Sequence, residues 1–153
     1  AKALNIIQPD FIRVHATGIK LESKLGEFVR DGSFTLQSEE EIVIEQKLFL
    51  QQLHEMDSYY VNEHIVNLLL EIRGNLRTEK QEMLSTIDRF LTLPPDERLL
   101  FTVGRRLNIF FRLDDLKKPK LHQKAGESLQ QILSKNPHVD FAALCNYVRQ
   151  SQI

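Results

Sequence analysis

The sequence predicts an all-α domain of about seven or eight short helices, arranged as a right-handed bundle or a small stacked array of helical hairpins. Three observations carry this expectation. Apolar residues recur at helical spacing along most of the chain, capping residues precede several of the apolar runs, and no two-residue alternation persists beyond a few positions. At 153 residues, 42% hydrophobic and 27% charged, residues 1–153 suit one compact domain rather than a disordered tail.

Residues 1–37 read as a helical extension. After the lead-in Leu4, Ile6 and Ile7, Pro9 suits a first helical turn, where its missing amide costs nothing. Phe11, Ile12, Ile19, Leu21, Leu25 and Phe28 follow at roughly helical spacing up to Gly32, a C-terminal stop. Gly18 and Gly26 oppose this helix, each by about 1 kcal/mol relative to Ala.

Residues 38–135 carry the best-marked helices. Ser38 with Glu41 forms a capping box, opening a helix to Glu55 that buries Ile42, Val43, Phe49, Leu50 and Leu53. Asp57 or Ser58 caps a third helix through Val61, Ile65, Leu68, Leu69 and Ile72 to Gly74, and its apolar character places it at the centre. Thr78 with Gln81 opens a fourth, with Met83, Ile87, Phe90 and Leu91 on one face and Pro94-Pro95 as its end.

Thr102 reads as the N-cap of the next helix, whose core face is Val103, Leu107, Phe110 and Phe111. Pro119 then opens a helix with Leu121, Ala125, Leu129 and Ile132 buried and Gly126 allowing a close neighbour. Asn136-Pro137 breaks the chain. Residues 136–153 supply a last helix, capped by Asp140 and packed through Phe141, Leu144 and Val148.

Composition narrows function. A net charge of -1 gives no global attraction to nucleic acid or anionic membrane, so any such preference must be local. No apolar run reaches bilayer length, the amino terminus carries no signal-peptide pattern, and the first residue, Ala1, suits an excised domain. The single cysteine, Cys145, fits an intracellular, reducing setting and reads as a small buried hydrophobe.

Nothing predicts catalysis, a cofactor or a metal. His15, His54, His64, His122 and His138 lack ligand spacing, the glycines form no phosphate-cradling loop, and no serine has a nucleophile-elbow context. The expected function is binding.

The candidate surface is the far side of the helix predicted after Thr102, with Arg105, Asn108, Ile109 and Arg112, followed by Lys117 and Lys118. An isoleucine between guanidinium groups suits an acidic partner with a bulky apolar anchor, because arginine both stacks and pairs with carboxylates. On this reading Ile109→Glu abolishes binding without unfolding the domain. A basic-patch nucleic-acid binder, using Arg105 to Lys124, is the alternative; Asp114 and Asp115 interrupt that run. An unrelated helical scaffold, such as a homodimer, is a further alternative.

Residues 48–135 also resemble a family. Arg73, the apolar positions Met83, Leu84, Ile87 and Leu91, then Leu93-Pro94, Val103-Gly104-Arg105 and Lys124-Ala125-Gly126 with Leu129, follow the order seen in the IWS/SPN transcription elongation factors. Their conserved core is similar to the amino-terminal domain of transcription factor IIS. Where that family usually carries Trp near the end of the later helix, this chain has Ile132.

The resemblance implies a nuclear, non-catalytic scaffold on elongating RNA polymerase II. It implies, as partner, an acidic, apolar amino-terminal segment of the suppressor-of-Ty six histone chaperone, contacting the positions of Arg105 and Ile109.

Overall fold

The computed structural model describes residues 1–20 and 22–150. Leu21 of the first expected helix and residues 151–153 of the last lie outside the described residues. The described chain runs α1 (Lys2–Ile7), β1 (Phe11–Arg13), α2 (Lys24–Arg30), α3 (Glu39–Gln52), β2 (Tyr59–Val61), β3 (Arg73–Asn75), α4 (Lys80–Leu91) and α5 (Pro95–Arg106). A 3₁₀ turn (Leu113–Lys117), α6 (Pro119–Lys135) and α7 (Phe141–Gln150) complete it. Helices dominate, but the chain is not all-α. Strands β1, β2 and β3 form one small sheet in that order, β1 parallel to β2 and β2 antiparallel to β3.

The helix expected between Ser58 and Gly74 does not form. Tyr59-Tyr60-Val61 favours a strand, and the segment's polar side chains are committed to backbone groups that a helix would have engaged. Ser58 Oγ donates to the Pro9 carbonyl at 2.5 Å, and Asn62 Nδ2 to the Leu69 carbonyl at 2.8 Å. Asn67 receives the Ala16 amide at 2.6 Å and donates to the Val14 carbonyl at 2.8 Å, tying the chain after β1 to this loop. Tyr60 is fully buried, accepts from Gln46 Nε2, and has its phenol pushed by burial up to about 12. Gly74 is no helix stop: it lies opposite Tyr60 at φ +151°, where a Cβ would stand 2.9 Å from Glu79.

Residues 1–37 likewise form no continuous helix. Ile12 enters the core from β1, and the parallel pairing makes this segment part of the domain's own sheet. Gly32 does stop a helix, but the short α2, which Ser23 opens by accepting the Gly26 amide.

Where capping was strong, the helices stand as expected. Ser38 and Glu41 form the reciprocal box at α3, burying Val43, Leu50 and the adjoining Leu53 while Ile42 and Phe49 are half-buried. In α4, Met83, Ile87 and Phe90 face the core, although Glu79 rather than Thr78 occupies the N-cap position. Asp140 receives the Ala143 amide at the start of α7. In α6 only Ala125 of the expected stripe is fully buried; Leu121, Leu129 and Ile132 are half-buried.

The central helix is α5. Its residues 100–106 are all buried, because α6 and α7 both pack against it. A helix covered on all sides has no wet face, so the side chains of its last turn meet neighbouring elements instead of solvent.

Candidate functional site

The helix predicted to start at Thr102 instead starts at Pro95 and ends at Arg106. Thr102 is an interior residue of α5 whose hydroxyl donates to the Arg98 carbonyl at 2.8 Å. Pro94 and Pro95 open the helix, Pro95 sitting where a missing amide is harmless.

The chain leaves α5 through a Schellman turn. The Ile109 amide donates to the Gly104 carbonyl at 2.8 Å and the Asn108 amide to the Arg105 carbonyl at 3.1 Å, with Asn108 left-handed at φ +58°. In such a turn the residue after the left-handed position folds back against the helix. Ile109 is accordingly buried, 7% exposed, and belongs to the core cluster. The outward-facing isoleucine expected from periodicity is therefore a closing residue of the core, and Asn108 is the hinge of the turn. Leu107 and Phe111, expected inside, are exposed.

Arg105 is fully buried. Its Nη2 donates to the carbonyls of Ile65 (2.9 Å) and Asn67 (3.3 Å), and its guanidinium carbon lies 5.8 Å from the Phe111 ring centre. Burial, with Arg106 alongside, lowers it to about 10, so it remains a cation at neutral pH. Its neighbour Arg106 is also interior, bonding the Val66 carbonyl at 2.9 Å and Glu39 through both carboxylate oxygens. Arg149 of α7 adds a contact to Glu39 at 3.4 Å. Arg105 and Arg106 hold the 65–67 turn in place, and neither is available to a partner.

Sequence reasoning missed Glu39, Arg106 and Arg149 as a group. Glu39 reads locally as an ordinary first-turn carboxylate. The available signal was Arg105-Arg106 in the last turn of a helix that Pro95 opens, next to the apolar run Leu99-Leu100-Phe101.

Arg112, Lys117 and Lys118 are exposed, as expected. Lys117 pairs with Asp114 at 2.8 Å and Lys118 with Asp115 at 2.7 Å. The run from Arg105 to Lys124 thus forms no continuous basic face, because its first two arginines are interior and these two lysines have carboxylate partners.

Arg112 and Lys117 border different concavities. Arg112 lines a polar hollow with Glu71, Arg73 and Arg89. Lys117 lines a cleft of about 450 Å³ formed with Leu93, Leu113, Leu116, Arg89 and His122. Its floor is leucine. At its rim, Asp114 stands between Arg89 (2.6 Å) and Lys117 (2.8 Å), and both cations hold its carboxyl below the usual range. His122 Nε2 lies 3.1 Å from Glu97 Oε1 on the opposite side.

Among the described residues, no three His, Cys, Asp or Glu side chains gather as a metal site, and no helix is long and apolar enough to cross a membrane. His15 and His64, unrelated by sequence spacing, stack with ring centres 4.1 Å apart. Cys145 is buried as expected, and burial pushes its thiol up to about 11. No family model, curated protein or solved structure matches the chain.

Proposed function

We propose that this chain is a non-catalytic interaction domain that docks a short acidic segment carrying a bulky apolar anchor. The observation behind this reading is the cleft in which Leu93, Leu113 and Leu116 form an apolar floor beside the exposed cations Arg89 and Lys117. An anchor side chain would cover the leucines, and a neighbouring carboxylate would meet the cations now shared by Asp114. Anchor burial sets most of the affinity in such a contact, and the rim charges set rate and salt dependence.

The site differs from a surface centred on Ile109, yet keeps Lys117 among its residues. The resemblance to the IWS/SPN factors supplies the named partner, the amino-terminal segment of the suppressor-of-Ty six chaperone, and the nuclear setting on elongating RNA polymerase II. Two of the resembling pieces do meet in space: a Cβ built on Gly104 would lie 3.3 Å from the Ala125 Cβ. That meeting supports a shared packing unit, not a shared binding face.

Titration calorimetry with a synthetic peptide of that chaperone segment tests the reading. Binding is expected to weaken at least tenfold in Leu116→Asp and severalfold in Lys117→Glu, and to tighten in Asp114→Asn, which frees both cations. Parent-like affinity in Leu116→Asp would remove the cleft from consideration, and no binding by the parent would remove the partner.

A further inference from the structure

A third concavity lies away from both the docking cleft and the polar hollow. It holds about 300 Å³, at the lower end of small-molecule sites, between α3, the chain following β1 and the 62–68 loop, with Arg149 in its wall. Ile19, Phe34, Ile42, Val43, Phe49 and Leu68 supply most of its apolar lining. His15, Thr17 and Glu45 are exposed and mark the side open to solvent.

Behind this wall the interior carries an excess of positive charge. Arg105, Arg106 and Arg149 are 0%, 3% and 1% exposed, and Glu39 is the buried carboxylate that Arg106 and Arg149 share. Among the described residues, four of their nitrogens, Nε and Nη1 of Arg105, Nη1 of Arg106 and Nε of Arg149, have no hydrogen-bond acceptor. Buried donors of this kind ordinarily have partners, and charges removed from water ordinarily have counterions. Other polar groups at the wall are already committed: Gln46 Nε2 to the Tyr60 hydroxyl, Asn67 to Ala16, Val14 and Asn62.

We propose that this cavity binds a small aliphatic monocarboxylate, with its carboxylate on Arg149 and its tail against Val43, Phe49 and Leu68. The guanidinium's planar donor set matches a carboxylate, and Arg149, whose Nε has no acceptor, lines the cavity, where an anion would also offset the surplus charge. The apolar wall selects a tail. A hydrated inorganic anion would leave that wall uncovered, and a neutral alkane or alcohol would leave the charge unmatched.

Octanoate, 1-octanol and inorganic phosphate, each titrated calorimetrically into the whole chain, separate these cases. Saturable binding of octanoate at least tenfold tighter than of either other probe is expected. Arg149→Met should lose that tenfold preference, and it should still fold because Glu39 keeps both hydrogen bonds to Arg106. Should it fail to fold, Ile42→Trp decides instead: it fills the cavity from a half-buried wall position, leaves every arginine in place, and should abolish binding. Absence of saturable octanoate binding, equal affinity for octanol or phosphate, or unchanged binding in a folded variant would each overturn the proposal.

Discussion

Glu39 and Arg106, 67 residues apart in sequence, are joined inside the domain by two hydrogen bonds, Nε to Oε1 at 2.9 Å and Nη2 to Oε2 at 2.6 Å. The pair links the first turn of α3 to the last turn of α5, and Arg149 brings α7 to the same carboxylate. A single acid is therefore the shared counterion at the junction of three helices.

Removing that acid should be far worse than removing Arg149. Glu39→Gln keeps the shape but leaves Arg105, Arg106 and Arg149 buried without an anion, and should cost about 3–5 kcal/mol, the range for breaking buried pairs from one side. Arg149→Met leaves a balanced Glu39–Arg106 pair and should cost less than half as much. Urea unfolding of the two variants checks the order. Equal losses would show that Glu39 acts by local packing and not as the shared counterion.

Ile109→Glu is expected to unfold the domain, contrary to the outcome anticipated for an exposed anchor. A carboxylate at a 7% exposed core position loses the apolar contacts and adds an unpaired charge, together at least about 3 kcal/mol. At Asn108 the left-handed φ sets the outcome: Asn108→Val should cost about 1–2 kcal/mol, and Asn108→Gly should be neutral or mildly stabilising. Circular dichroism and thermal melting measure both positions. A natively folded Ile109→Glu protein would contradict the burial of this residue.

These positions show what could be read from the sequence and what could not. Ser38/Glu41, Pro119 and Asp140 mark helix starts through contacts within one turn, so their chemistry is visible locally. Strands β1, β2 and β3 have three residues each, too few for a two-residue period to register, and their pairing joins Phe11 to Tyr59 across a long intervening segment. The candidate surface failed on phase. Beginning the helix at Thr102 instead of Pro95 converted the covered last turn of one helix into the first turn of a half-exposed one, and turned a Schellman residue outward.

Gly104 is a close-approach glycine, a role assigned from sequence to Gly126. A Cβ at Gly104 would lie 2.4 Å from Phe110 Cδ2, whereas at Gly126 it would meet nothing within 4 Å. Phe110 is itself fully buried and stacked on Phe101 at 5.9 Å, so it has little room to yield. Gly104→Ala should therefore cost about 1–3 kcal/mol by overpacking, despite the better helix propensity of alanine. Gly126→Ala should stabilise by up to about 1 kcal/mol. Chemical denaturation that placed the two substitutions in the reverse order would refute this packing.

Two carboxylates beside the 3₁₀ turn should make stability depend on pH with opposite signs. Glu71 accepts the Leu113 amide at 2.9 Å, yet burial, with Asp114 nearby, raises its carboxyl above the ordinary value. Its protonated form is favoured by folding, so the associated stability is complete below the unfolded pKa and is lost as pH rises through the folded one. Glu71→Gln retains the amide bond without the charge, and should equal or exceed the parent's stability at pH 7, with the advantage gone below about pH 4. Asp115 behaves oppositely. Burial alone would raise it, but Lys118 and the amides of Phe111 and Arg112 together hold it below the ordinary value. Its contribution is present above the unfolded pKa and lost as pH falls through the folded one, so Asp115→Asn should cost about 1–3 kcal/mol at pH 7 and progressively less on acidification. Urea titrations at pH 7, 5 and 3 give both slopes, and parallel profiles for parent and variants would show that neither carboxyl is coupled to folding.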